Sequence, residues 1–215
     1  NGGVASNYTL TSGTHTASVT QKSLTASLIS TVSKTYDGTT TVTNLQNSNF
    51  SLTGLVGTEL PTISKTTATY ASKDVGTGIS VSTTLASGDF TEAAGFVKTN
   101  YSLPTTASGS IGTITTRVIS LTGTRAYDGT TDVGNTIFSM GNLVGSETLT
   151  LSGTGTIVSK DVGSGKAVTL ATLALDNGSN GGVASNYTLT GGTHTASVTQ
   201  KSLTASLIST VSKTY

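Results

Sequence analysis

Apolar and polar residues alternate along short stretches of this chain, and the phase of the alternation shifts at fixed places. Ala17 and Val19 are apolar at odd positions, whereas Leu24, Ala26 and Leu28 are apolar at even ones, with Gln21 and Lys22 between them. A period of two marks a strand, and no strand buries both sets on one face without a break. The same shift recurs around Arg117 and Lys201. It predicts unit boundaries: the end of one unit in residues 1–21, complete units in 22–116 and 117–200, and the first strand of a further unit in 201–215. Within a unit, LTASLI, FSLTGL, ISVSTTL, NYSL and a segment ending in IGTIT have strand composition, with Gly, Asp and Asn between them. That pattern predicts about seven short strands per unit. No window carries an apolar series at helical spacing.

Repetition fixes the organisation further. Residues 1–36 recur as residues 180–215 with one difference, Ser12 against Gly191. Inside this long period lies a shorter, more diverged one. YDGTT begins at Tyr36 and again at Tyr127; GLVGTE, ending at Glu59, answers to NLVGSE, ending at Glu147; SKDVGTG around Lys73 answers to SKDVGSG around Lys160; NYSL at Asn100 answers to NYTL at Asn186. Length changes fall between these anchors, so the anchors are framework and the intervals hold loops. Two packed sheets in roughly 90–100 residues match the size of an immunoglobulin-like sandwich. The expected fold is therefore all-β: tandem immunoglobulin-like β-sandwich repeats in an elongated array, with β-grasp-like mixed sheets as the alternative. Tyr101 and Tyr187, each two residues before a Leu, suit the tyrosine that opens a strand in such sandwiches. Linkers of a residue or two without a Gly-Ser tract predict neighbouring repeats held nearly rigid.

Composition agrees and excludes several functions. The 215 residues include 47 Thr and 30 Ser, only 10% are charged, and the net charge is +1. Thr suits half-exposed strands, and Ser and Gly suit turns. The charge balance offers no footprint for nucleic acid, and no apolar run approaches the ~20 residues of a membrane helix. Zero Cys removes disulfides and thiol chemistry. The sequence ends in VSKTY, just before the Asp-Gly of a third motif, and is expected to continue into a longer fibre.

The order YDGTT, LVG, SKDVG, NYTL, closing on a basic residue before Leu-Thr at Lys22 and Lys201, resembles the YDG repeat of large secreted bacterial adhesins, including haemagglutinin-like and two-partner-secreted surface proteins. The resemblance covers nearly the whole chain. It departs in the residue before the motif, Lys34 against Arg125 two positions ahead of Tyr36 and Tyr127, and in an interval from Arg117 to Tyr127 shorter than that from Lys22 to Tyr36. It implies an extracellular, repetitive β-rich stalk at a bacterial cell surface and no enzymatic activity.

The candidate site residues are the repeat motifs themselves. Tyr36 and Tyr127 read as packing anchors; Asp37 with Gly38 and Asp128 with Gly129 read as turns in which Asp bonds nearby backbone and Gly takes a positive φ. Lys73, Asp74 and Gly76, with their counterparts Lys160, Asp161 and Gly163, read as polar turns with solvated lysines. The sharper alternative is an intramolecular isopeptide bond drawing on Lys73, Glu59 and Asn100, or on Lys160, Glu147 and Asn186. No cofactor is expected; calcium at a repeat joint is the competing idea, since Asp and loop carbonyls suit hard cations, but no dense carboxylate cluster exists. His15 and His194, one position in two copies, read as solvated strand histidines, because zinc needs three or four ligands. With no GxSxG and one His per long period, catalysis has little to stand on. Asn7, Asn49, Asn100, Asn177 and Asn186 lie in NxS/T sequons, which matter only in a eukaryotic secretory pathway.

The expected function is thus a structural stalk whose partners are neighbouring repeats, other copies in a fibre, and a glycan or surface receptor. In the alternative, the repeats themselves bind glycan, with exposed Tyr8, Tyr70 or Tyr187 stacking on sugar rings.

Overall fold

A computed structural model describes residues 4–9, 12–14, 16–206 and 210–215. Its regular structure is all-β apart from 3-10 turns of three residues, and the strands before Thr116 never share a sheet with those after it. The first unit comprises β1 (Lys22–Ser23), β2 (Thr25–Leu28), β3 (Val32–Thr35), β4 (Thr41–Val42), β5 (Phe50–Thr53), β6 (Thr62–Ile63), β7 (Ala68–Tyr70), β8 (Gly76–Thr84), β9 (Phe90–Thr91), β10 (Tyr101–Ser102) and β11 (Thr106–Thr115). One sheet runs β3-β11-β8-β7-β4, and β1-β10, β2-β5 and β6-β9 form three short pairs. Leu28, Phe50, Ile63, Phe90 and Tyr101 from the short pairs join Val32, Tyr70, Val81 and Ile114 from the main sheet in one buried cluster. The pairs therefore form the second layer of a sandwich. The main sheet is mixed, with β3 parallel to β11 and Val32 opposite Gly112; that feature belonged to the β-grasp-like alternative.

The second unit comprises β12 (Arg117–Val118), β13 (Ser120–Ala126), β14 (Asp132–Gly134), β15 (Phe138–Gly141), β16 (Leu149–Ser152), β17 (Thr154–Ile157), β18 (Gly163–Thr169), β19 (Ala174–Asn177), β20 (Tyr187–Thr188) and β21 (His194–Thr199). Its main sheet runs β14-β17-β18-β21-β13-β15, with β12-β20 and β16-β19 as short pairs. Here β13 does alone what β2 and β3 do separately, pairing antiparallel with β15 and parallel with β21. The longer interval from Lys22 to Tyr36 is the break between β2 and β3, where Ser30 takes a φ of 64°. Extra residues have split one long strand into two that serve different layers.

Burial follows the predicted phases where strands are paired, whereas Ala17 and Val19 themselves are exposed. Leu24 and Leu28 are buried, and so are Ala196 and Val198, the counterparts of Ala17 and Val19. His194 is not solvated as expected: it sits on the same face as Ala196 and Val198, buried, with its Nδ1 accepting from Leu121 N at 3.2 Å and its Nε2 2.8 Å from Leu189 O. Two buried backbone groups satisfy both ring nitrogens, which is what a histidine needs inside a sandwich. His15 lies outside the described residues. Tyr70 and Tyr187 are buried at 2% and 4% exposure, so neither offers a ring for stacking on a sugar, whereas Tyr8 is 75% exposed. Tyr101 and Tyr187 do open strands, but their hydroxyls bond backbone N–H groups of the distant residues Val56 and Val144.

The duplicated segments expose how far strands depend on partners. Residues 180–199 form β20 and β21, yet their near-identical counterparts among the described residues of 4–20 form no strand and only the 3-10 turn Ala5–Asn7. Likewise the sequence that makes β1 to β3 makes no strand among the described residues of 201–215, contrary to expectation. The 3-10 turn is local and forms in both copies; the strands need β12, β13 and β18 beside them, and propensity alone does not hold them.

The layers meet closely at Gly109 in β11, where an added Cβ would stand 2.2 Å from Leu28 O in β2. Both residues lie in paired strands, Gly109 opposite Val81 and Leu28 opposite Phe50. Gly109→Ala should therefore destabilise the first unit by about 1–3 kcal/mol, read as a lowered urea midpoint with an unchanged slope; an unchanged midpoint would mean that the two layers do not touch there.

Candidate functional site

The four recurring anchors converge between the two units. Tyr36 directly follows β3 and extends its ladder by one bond, Tyr36 N to Thr115 O at 2.9 Å. The next residues turn sharply. Asp37 Oδ1 accepts from Thr39 N and Thr39 Oγ1, both at 2.9 Å, and from Lys34 Nζ at 2.6 Å, while Gly38 has a φ of 75°. Burial opposes ionisation of Asp37, but the Lys34 and Thr39 bonds outweigh it and hold the carboxyl below its ordinary range. Asp128 repeats this turn with Thr130 and Arg125, and Gly129 has a φ of 86°. Lys73 and Asp74 lie in the turn between β7 and β8, which Asp74 N closes onto Ser72 Oγ at 3.0 Å. Gly76 and Gly163 start the strands that follow the two SKDVG turns.

These turns deliver side chains of the first unit onto the second. Tyr36 donates its hydroxyl to Glu147 Oε1 at 2.7 Å, and Tyr187 donates its own to Oε2 of the same carboxylate at 2.6 Å. The two rings meet edge to face with centroids 5.4 Å apart, an arrangement worth ~0.5–1.5 kcal/mol beyond area burial. Lys73 Nζ donates to Tyr36 Oη at 3.1 Å and stands 4.0 Å from Glu147 Oε1. Asn186, fully buried, closes the other side: its Nδ2 donates to Asp74 Oδ1 at 2.8 Å and its Oδ1 accepts from Val75 N at 2.9 Å. Val144 packs over Gly38, where an added Cβ would lie 2.8 Å from Val144 Cγ1.

Ionisation follows from this packing. Burial, with the Glu147 bond second, pushes Tyr36 up and Tyr187 up to about 12. The hydrogen bond to Tyr36 raises Lys73, and the Asn186 amide holds Asp74 down. The joint thus binds neutral phenols, a charged ammonium and a charged aspartate.

Of the residues singled out in the sequence, Tyr36, Gly38, Lys73 and Asp74 are brought together at this joint. Tyr127, Asp128, Gly129, Lys160 and Asp161 occupy the corresponding surface of the second unit, where Lys160 Nζ donates to Tyr127 Oη at 3.3 Å. Lys73 keeps 38% of its side chain exposed, and the joint engages its ammonium as well. The crosslinking set is not assembled within a repeat: Glu59 accepts from Tyr101, Asn100 is exposed, and Lys73 faces Tyr36 and Glu147 instead. The carboxylates at the joint accept from hydroxyl, amide and ammonium donors, and among the described residues no three of His, Asp and Glu cluster as metal ligands. Sequence reasoning saw Glu147, Asn186 and Tyr187 as recurring anchors but missed that they receive the YDG and KDVG turns of the preceding repeat. The available signal was identity kept at four separated anchors while the intervals drifted.

The second unit's Glu147 has a built-in control in Glu59, which accepts from Tyr101 on an outward face. Glu147→Ala strands two buried hydroxyls and should cost about 2 kcal/mol or more, at least ~1 kcal/mol beyond Glu59→Ala; equal losses in thermal unfolding would refute the shared-carboxylate joint. A separate check uses pH. Because the folded pKa values of Tyr36 and Tyr187 lie above the unfolded value of 10.0, their contribution is complete below about pH 10 and fades as pH rises through the raised folded values, about 12 for Tyr187. Absorbance at the tyrosinate band should show Tyr187 ionising near pH 12 in the folded protein, and Tyr187→Phe should remove that step.

A family profile described as the YDG domain matches residues 20–109 and again residues 113–196, the two units whose anchors build the joint. No curated protein and no solved structure matches the chain. Two successive matches, each covering one sandwich with its YDG turn, place this chain in the YDG domain family.

Proposed function

We propose that the protein is a structural segment of a repetitive extracellular adhesin at a bacterial cell surface, in which rigid tandem β-units give reach and attach cells to one another or to a surface. The observation that supports this best is the joint. A single residue, Thr116, separates β11 from β12, which limits the distance between units, and the bonds from Tyr36, Lys73 and Asp74 to Glu147 and Asn186 limit their rotation. A weakly charged hydroxyl surface leaves the array little affected by salt, and many copies linked nearest neighbour to nearest neighbour give length.

The glycan-binding alternative has its own observation. Thr41, Thr69, Ser82 and Ser108 stand in one row across β4, β7, β8 and β11, all exposed. Sugar recognition would rest on such hydroxyls, since Tyr70 and Tyr187 are buried.

NMR relaxation and alignment on the intact chain test the stalk. Residues 22–115 and 117–199 should share one rotational tensor, and Glu147→Ala should give them separate ones. Independent tumbling of the two units in the unaltered protein would overturn rigid spacing, and saturable micromolar binding on a glycan array would favour the alternative.

A further inference from the structure

The sequence holds three Asn-Gly pairs. Asn1 and Gly2 lie outside the described residues; the other two, Asn177 with Gly178 and Asn180 with Gly181, share the loop between β19 and the 3-10 turn Ala184–Asn186. Such a pair is chemically labile, because glycine has no side chain to shield its backbone nitrogen from the preceding amide.

This loop is fastened to both acceptors of the joint. Asn180 Nδ2 donates to Ser146 O at 3.1 Å, Thr148 N donates to Ser179 O at 3.1 Å, and Ser179 N donates to Thr148 Oγ1 at 2.8 Å, so the residues on either side of Glu147 are tied to it. Asn177 Oδ1 accepts from Ala184 N at 2.8 Å, which opens the turn that carries Asn186. The seat has no slack: a Cβ added to Gly178 or Gly182 would overlap Thr148 O.

The two pairs are not equally guarded. Asn177 is held in β19 opposite Leu149, and the Gly178 nitrogen donates to Gly182 O at 3.1 Å. Asn180 and Gly181 are both exposed, with φ of 55° and 86°, and among the described residues the Gly181 nitrogen donates to no acceptor.

We infer that Asn180 is a site of spontaneous deamidation whose conversion loosens the joint at Glu147 and Asn186. The Gly181 nitrogen attacks Asn180 Cγ; the new N–Cγ bond closes a succinimide as the Cγ–Nδ2 bond breaks, and Nδ2 leaves as ammonia with the proton from Gly181. Water then opens the ring. Its attack at Cγ leaves aspartate, which turns an acceptor toward Ser146 O in place of a donor. Its attack at the main-chain carbonyl leaves isoaspartate, which lengthens the loop by one carbon over a seat without room for it. The first unit has the same turn without the reactive amide: Ala94 and Gly95 have φ of 49° and 81°, and Phe96 N donates to Ala93 O at 2.9 Å as Gly182 N donates to Ser179 O at 3.0 Å. The inference rests on the joint and not on where the protein resides, so its failure leaves the stalk reading standing.

The intact chain, aged in mildly alkaline buffer at body temperature and mapped by mass spectrometry, should gain aspartate and isoaspartate at position 180 about tenfold faster than at 177, roughly the protection that one net hydrogen bond gives. Ageing in urea should bring the two rates together. The chain aged while folded should also show separate rotational tensors for residues 22–115 and 117–199. An aged Asn180→Ala chain should keep one tensor, since alanine takes the φ that Ala94 already takes and loses one exposed hydrogen bond without changing the loop's length. An Asn180 that survives, one that reacts no faster than Asn177, or a preference that persists in urea would overturn the site. A modified chain that still tumbles as one body would overturn the loosening.

Discussion

The carboxylate of Glu147 holds two phenols that the chain brings from different units, and the relation of the units depends on it. Tyr187 belongs to the same unit as Glu147 and positions it; Tyr36 comes from the unit before. Hydrogen bonds to an ionised acceptor are about twice as strong as neutral ones, and a low local dielectric strengthens them further. Val144 over Gly38 and Asn186 between Asp74 and Val75 flank the Glu147 carboxylate, whose side chain is 11% exposed. The joint is therefore a small polar cluster, covered at Tyr36, Tyr187 and Asn186 and open to solvent at Lys73 and Asp74, and it continues the hydrophobic cluster that runs through both units.

That arrangement accounts for which parts of the repeat keep their residues and which drift. Tyr36 must reach Glu147, so the residues that steer it are fixed: Asp37 caps the turn and Gly38 supplies both a positive φ and the space Val144 fills. The segment before Tyr36 is under no such demand. It runs straight as β13 in one unit and breaks around Ser30 into β2 and β3 in the other, and both routes deliver the tyrosine to the end of a strand beside the last strand of its unit. Loop closure changes slowly with length, so insertions between anchors cost little while a shift within one would unmake the joint.

Much of this was legible in the sequence. Leu24 and Leu28, on the apolar phase of their strand, are buried, and so are Ala196 and Val198, the counterparts of Ala17 and Val19. The same alternation placed His194 on the buried face, but its polarity argued for solvent, and only the structure supplies Leu121 N and Leu189 O as the partners that make burial tolerable. The joint was not legible, because the spacing of anchors within a chain carries no information about which unit a side chain will face. Parallel pairing of β3 with β11 was hidden for a similar reason: residues far apart in sequence are brought together by packing rather than by any local pattern.

The duplicated ends carry the physical lesson furthest. One sequence, within a single chain, forms strands where its neighbours in the sheet are present and none among its described residues where they are not. Strand content in this protein is a property of the completed unit, and neither Thr-rich alternation nor turn chemistry is enough to hold an unpartnered segment. The same reasoning extends one level up. A unit is complete on its own in its hydrogen-bonded sheets, yet its Tyr36 or Tyr127 and its Asn100 or Asn186 reach full burial only against another unit. Completion at each level, strand by sheet and unit by neighbour, follows from polar groups that are cheap to leave in water and costly to bury without their partners.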